Sequence, residues 1–105
     1  MWVSLDPTVG SEIRKTRPAV IVSNDSCNTY GSRVVVLPLT SNMETSYPGE
    51  AVVQIKGQPA RALGDQIRSI DKSRVRGSIG RLTTEEMTAV DEAIVITLGL
   101  TGYVL

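Results

Sequence analysis

The sequence predicts a mostly β protein that closes with one α-helix, its short strands forming a small barrel or strongly curled sheet. Two observations carry this. Short runs rich in Val and Ile recur along the chain, punctuated by Gly, Pro and Asn. Only the segment after Thr83 places apolar residues at helical spacing.

The elements follow in order. Trp2–Leu5 is a short apolar-rich strand, stopped by the turn signal Asp6-Pro7; Trp2 follows Met1 directly, so little strand is expected before it. Thr8–Thr16 carries Gly10, Ser11 and several charges without periodicity and reads as a loop. Arg17–Ser23 is a buried strand, with Pro18 near its start, where a missing N–H is tolerated. Asn24-Asp25-Ser26 ends it. Arg33–Leu39 is a second β-branched strand, and Pro38 assigns it an edge or bulge position. Tyr47-Pro48-Gly49 is a turn before a third strand, Glu50–Ile55, which Gly57-Gln58-Pro59 closes. Ala60–Gln66 is a weaker strand broken by Gly64, and Val75–Leu82 alternates around Gly77 and Gly80. Thr83 and Glu86 form a capping box for the terminal helix. Met87, Val90, Ile94 and Leu98 make one apolar stripe on it; Ala89, Ala93, Ile96 and Leu100 make a second, roughly opposite. Gly99 and Gly102 mark its end. A helix apolar on two sides in so small a protein calls for a second partner, and a homodimer is expected.

The chain has 105 residues, 41 % of them apolar, which suits one domain spanning residues 1–105. Eleven Lys and Arg balance 11 Asp and Glu, so net charge offers no drive towards nucleic acid or membrane. The distribution is uneven. Lys56 to Arg81 holds seven cations and two acids, and Glu85 to Glu92 holds four acids and no cation. A local basic surface on a neutral protein follows. Cys27 is the one cysteine, so no intrachain disulfide forms. No apolar run approaches the ~20 residues of a membrane span, and the start does not resemble a signal peptide. A cytoplasmic location is expected. The sequence has no His, which removes the usual general base and the Ser-His and Cys-His nucleophile pairs. With a single Cys as well, a zinc site is not expected.

Three stretches carry candidate chemistry. Arg14, Lys15 and Arg17 crowd in front of a buried strand. Arg17, fixed beside Pro18, offers a planar fork of donors to a phosphate or carboxylate, or simply caps a strand edge. Thr40-Ser41-Asn42 at the next strand's end binds a phosphate or caps a turn. In Gly64–Asp71, Gln66 and Arg68 with Ser69 suit base edges and phosphates, although Asp65 or Asp71 also suits pairing with Arg68.

Taken together, these stretches resemble the MazF/PemK family of toxins. "WVSLDPTVGSEIRKTRPAVIVSND" is similar to that family's opening, "VVVLPLTSN" to its strand ending in Thr-Ser, and "GDQIRSIDKSRVRGSIGRLTTEEMTAVDEAI" to its Gln-x-Arg segment and helix. The resemblance spans nearly the whole chain. One branch of the family has a His and an Arg where this sequence has Ser11 and Leu63, so that branch's set is not carried over.

The resemblance implies an SH3-like barrel with a C-terminal helix, the fold of CcdB/PemK/MazF-like toxins, acting as a homodimer. It implies a ribosome-independent endoribonuclease, an mRNA interferase toxin of a type II toxin–antitoxin system, that cuts single-stranded RNA at short sequences without a metal or other cofactor. The cognate MazE-like antitoxin would fill the RNA groove with a flexible acidic and apolar tail. Arg17 and Thr40 match the family's catalytic Arg and Thr. Glu12, Gln66, Arg68 and Ser69 match positions near the RNA path, with Ser41 beside Thr40 and Lys15 on a flap that steers the strand in. RNA supplies its own nucleophile, the 2′-OH, so an Arg fork that stabilises the phosphorane and a hydroxyl that positions the phosphate suffice for part of the work. An Arg base is costly, because a guanidinium holds its proton at any ordinary pH, which leaves Glu12 as the better candidate base. Tyr47 offers a stacking platform. Two alternatives stand beside this: a gyrase-poison-type toxin depending on Thr101–Leu105, and a non-catalytic small-barrel interaction module.

Overall fold

A computed structural model describes the backbone of residues 2–5 and all of residues 17–44 and 47–100. The elements are β1 (Trp2–Leu5), β2 (Arg17–Ile21), α1 (Asp25–Tyr30), β3 (Arg33–Thr40), β4 (Glu50–Ile55), β5 (Gln58–Leu63), β6 (Arg68–Asp71), β7 (Val75–Gly80) and α2 (Thr84–Leu98). The seven strands form one antiparallel sheet in the order β4-β5-β3-β2-β1-β7, with β6 added to β3. This is the expected mostly β class with a C-terminal helix. The ends of the path, β4 and β7, do not pair, so no hydrogen-bonded barrel closes among the described residues.

β3 is the hub of the sheet. One edge pairs with β2 through Ala19↔Pro38, Val20↔Leu37 and Ile21↔Val36. The other pairs with β6 through Arg33 to Val36 and with β5 through Leu39 and Thr40. The strand is therefore central, so of the edge or bulge positions inferred from Pro38 the edge is excluded. Pro38 sits where that second edge passes from β6 to β5, and its missing N–H falls in the gap between partners.

Alternation splits the core between the two faces of the sheet. Val20, Leu37 and Leu39 join Ala51, Val53, Ala60, Ala62 and Leu82 under α2. Ala19, Val34, Val36 and Ile70 form a smaller cluster on the other face, with Ile21 and Val75.

The helix begins as predicted. The Thr83 hydroxyl accepts from the Glu86 N–H at 3.1 Å, and the Glu86 carboxylate accepts from the Thr83 N–H at 2.9 Å. Its stop is the Gly99 cap at φ 68°. The face it buries differs from either expected stripe. Val90 and Ala93, one from each stripe, are its buried residues, so the core faces the seam between the stripes. Ile96, Leu98 and Leu100 are left about half exposed.

Two elements lie outside the sequence-based expectation. α1 has no buried residue; Asn24 caps it by accepting from the Cys27 N–H at 2.8 Å. β6 is only four residues long, with Ile70 alone buried.

Glu86 also joins α2 to β4 by accepting the Gln54 N–H at 2.6 Å. The Thr83 N–H first, with the Gln54 N–H and Thr83 hydroxyl adding to it against partial burial, holds the Glu86 carboxyl below the usual glutamate range. A depressed carboxylate stabilises the fold above its unfolded pKa, and that contribution is lost as pH falls through the folded value. Urea unfolding at a series of pH values from neutral to acid should therefore show a smaller acid loss for Glu86→Gln than for the wild type, with Glu86→Gln the less stable of the two at neutral pH.

Candidate active site

β2 and β3 together determine where Arg17 and Thr40 lie. The register Ala19↔Pro38, continued by two residues along each strand, sets Arg17 opposite Thr40. Both then share a face with Ala19 and Val36, away from α2. Pro18 holds Arg17 in the extended region, and Leu5 of β1 pairs with Arg17 on its other side. The backbone carrying this guanidinium is therefore fixed from both directions. Among the described residues Arg17 has no ion-pair partner, and its side chain is exposed.

Arg17, Pro18, Leu39, Thr40 and Ser41 form one wall of an open cleft of about 470 Å³. The other wall is the β4–β5 hairpin: Ile55, Lys56, Gln58, Pro59 and Ala60. Its floor is apolar, while its rim holds two cations, two hydroxyls and an amide. The Thr40 Oγ1 accepts from the Asn42 N–H at 3.2 Å. That uses an acceptor position and leaves the hydroxyl hydrogen to donate into the cleft. Cations at the rim, a hydroxyl donor and an apolar floor suit a phosphodiester with an unpaired base beside it.

Lys56 and Gln58 were not singled out from the sequence. The signal was the Lys56-Gly57 pair between two strands. Ile55 pairs with Gln58 across a two-residue loop, with φ 49° at Lys56 and 82° at Gly57. Positive φ at both positions is the hairpin turn whose twist matches the strands. Gly57 takes it freely, whereas Lys56 pays a backbone strain of about 1 kcal/mol or more. That turn brings Lys56 and Gln58 to the cleft.

The other expected residues lie elsewhere. Arg68 is exposed opposite Val36, on the same sheet face as Arg17 and Thr40 but outside the cleft lining. Gln66 is exposed at the end of a 3₁₀ turn, Gly64–Gln66. Ser69 pairs with Val35 on the opposite face, and its hydroxyl and carbonyl accept from Arg33 Nε and Nη2 at 2.8 and 2.9 Å. Tyr47 is exposed and does not line the cleft. Glu12 and Lys15, with Arg14, lie outside the described residues, as do Thr101–Leu105. Of the four acids of α2, Glu85, Asp91 and Glu92 are exposed and Glu86 is partly buried, and none of them lines the cleft. Among the described residues no group of three or more His, Cys, Asp or Glu is placed to hold a metal, and no helix is long and apolar enough to cross a membrane.

Comparison with known proteins bears on this geometry. The profile of the PemK-like, MazF-like toxins of type II toxin–antitoxin systems matches residues 1–98. Endoribonuclease MazF9 of Mycobacterium tuberculosis is 37 % identical over 110 residues, covering 95 % of this chain and 93 % of that protein. An endoribonuclease in complex with its cognate antitoxin, from a mycobacterial species, superposes with a TM-score of 0.78 at 22 % identity, over 96 % of this chain and 95 % of that one. MazF from Deinococcus radiodurans superposes at 0.74 with 27 % identity, over 93 % and 92 %. With a family profile spanning most of its length and a curated relative at this identity, the chain belongs to the PemK/MazF-like toxin family of type II toxin–antitoxin systems.

Proposed function

We propose that this protein is the toxin of such a pair and an endoribonuclease that cuts single-stranded RNA in the Arg17–Thr40 cleft. The observation that carries this reading is the shared cleft: the β2–β3 register, continued two residues, brings the Arg17 guanidinium, without an ion-pair partner among the described residues, to the same open rim as the Thr40 hydroxyl. The endoribonuclease relative at 37 % identity supports it.

In the proposed reaction the 2′-oxygen attacks the adjacent phosphorus while its proton passes to a base, for which Glu12 is the candidate. Two negatively charged non-bridging oxygens develop on the phosphorane. The Arg17 fork faces them with paired N–H donors, and the Thr40 hydroxyl donates to one of them and holds the phosphorus in line. The P–O5′ bond then breaks, and the departing oxygen takes up a proton from the Thr40 hydroxyl, which water reprotonates, or from water directly. The products are a 2′,3′-cyclic phosphate and a 5′-OH. No step is assigned to a metal or other cofactor. Lys56 and Ser41 hold the neighbouring backbone, Lys15 steers the strand inward, and Arg68 extends the basic face beyond the cleft. Gln66 and Ser69, which sit outside the cleft, contribute to a more distant part of the RNA path.

The toxin acts in the cytoplasm as a homodimer, with exposed Ile96, Leu98 and Leu100 as the apolar surface available to a second copy. A MazE-like antitoxin neutralises it by laying an acidic and apolar tail in the same cleft, where Arg17 and Lys56 meet the acids and the floor meets the apolar side chains.

A single 2′-deoxynucleotide substitution tests the chemistry. An RNA oligonucleotide containing a mapped cut is made with deoxyribose immediately 5′ to the scissile phosphate. Cleavage there should disappear while cuts elsewhere persist. Continued cutting at the deoxy position would mean that water, not the 2′-OH, is the nucleophile.

A further inference from the structure

Arg61 is a buried charged residue paired with Glu50, their side chains 8 % and 7 % exposed, and nothing in the proposed reaction uses it. It lies on β5 directly across from Thr40. Its Nη1 donates to Glu50 Oε1 at 2.7 Å, and its Nε donates to the carbonyl of Asn42 at 2.6 Å. Glu50 Oε1 in turn accepts from the Tyr47 N–H at 3.2 Å. The N–H of the same Asn42 donates to Thr40 Oγ1 at 3.2 Å, and its side-chain Oδ1 accepts from the Glu44 N–H at 2.9 Å. One guanidinium thus ties down both described ends of the connection between β3 and β4, where the sheet ladder no longer holds the chain.

Stability alone is a poor reason for this arrangement. A buried ion pair is often replaceable by apolar residues of similar volume without loss of stability. What an apolar pair cannot do is grip the Asn42 carbonyl. The Asn42 carbonyl and N–H belong to successive peptide units joined at its Cα, so a carbonyl held by Arg61 restrains the residue between them and keeps the N–H on one lone-pair direction of the Thr40 oxygen. The hydroxyl hydrogen is left the remaining directions, the open cleft among them. We infer that Arg61, through Asn42, is a positioning residue for Thr40: it sets the direction in which the Thr40 hydroxyl donates. This rests on the RNA-cleavage reading above.

The test replaces both members of the pair with apolar residues, Glu50→Leu with Arg61→Met, and measures kcat and KM on a single-site RNA. The expected result is a near-wild-type melting temperature, kcat reduced about tenfold or more, and KM changed much less. Thr40→Val should lower kcat in the wild-type background and cost little further in the double variant, because an undirected hydroxyl has little left to lose. Should the double variant not fold, Arg61→Lys serves instead. Its ammonium still pairs with Glu50 but lacks the fork that reaches Asn42 at the same time, so the same kcat loss is expected. A folded variant with wild-type kcat, or full additivity with Thr40→Val, overturns the inference. If the wild-type protein cuts no RNA, the cleavage reading fails separately. Hydrogen exchange at the Asn42 amide then decides the positioning role: faster exchange in Arg61→Lys supports it, and unchanged protection overturns it.

Discussion

Arg17→Ala should lower kcat/KM for RNA cleavage by about 10²–10³-fold or more, the usual effect of removing a preorganised donor from a developing oxyanion. The change should leave the fold intact. Arg17 is exposed and has no ion-pair partner among the described residues, so its removal should alter stability by no more than ~0.5 kcal/mol. Single-turnover kinetics beside a thermal melt separates the two effects. Arg17→Lys sharpens the reading. A lysine keeps the charge but offers a point donor in place of a planar fork. Activity between wild type and alanine would show that charge and geometry both contribute. Full activity in Arg17→Lys would reduce the role to simple attraction.

Gly64→Ala should be the most damaging single methyl group in the described structure. Gly64 is buried at the start of the 3₁₀ turn, and its N–H donates to the Gly49 carbonyl at 3.0 Å. A Cβ there would overlap that same carbonyl oxygen and come within 2.6 Å of Thr97 Oγ1 and 3.3 Å of the Ala93 carbonyl on α2. Two of the three obstacles are backbone atoms, so the turn has to move away from the helix or from β4. A loss of about 3 kcal/mol or more is expected, which for a domain of this size lowers the melting temperature by roughly 12 °C or more. Gly49→Ala provides the contrast. A Cβ at Gly49 meets chiefly the Thr97 hydroxyl, so adding Thr97→Ala should restore most of the stability of Gly49→Ala and little of that of Gly64→Ala. Equal rescue of both would refute the backbone clash.

What the sequence disclosed follows what each element needs. β3 and β4 carry β-branched apolar runs and α2 a helical pattern, and their positions were legible from these. The Thr83–Glu86 box was legible because both partners are side chains at fixed spacing. α1 was not, since a six-residue helix that buries nothing leaves no periodic trace. β6 has a single buried residue, and the sequence assigned it to no element. Pro38 pointed to an edge or a bulge, because nothing in the sequence marks that a central strand changes partner beside it. The helix stripes were read correctly as residues, but which angle faces the core depends on where the sheet lies, and the sheet chose the seam. In the site, Arg17, Thr40 and Ser41 line one cleft wall. Lys56 and Gln58 arrive from a hairpin turn, and Arg61 through a carbonyl. Such contacts are made by backbone geometry or with backbone atoms, which residue types do not display.

The most direct measurement is the mapping of new ends on a long, unstructured RNA incubated in EDTA with the antitoxin-free wild-type protein and with Arg17→Ala. The predicted result is cleavage at a short shared sequence, with 5′-OH and 2′,3′-cyclic phosphate ends, lost in Arg17→Ala. Intact RNA with folded wild-type protein, or undiminished cutting by Arg17→Ala, would contradict an RNA-cleaving centre built on Arg17.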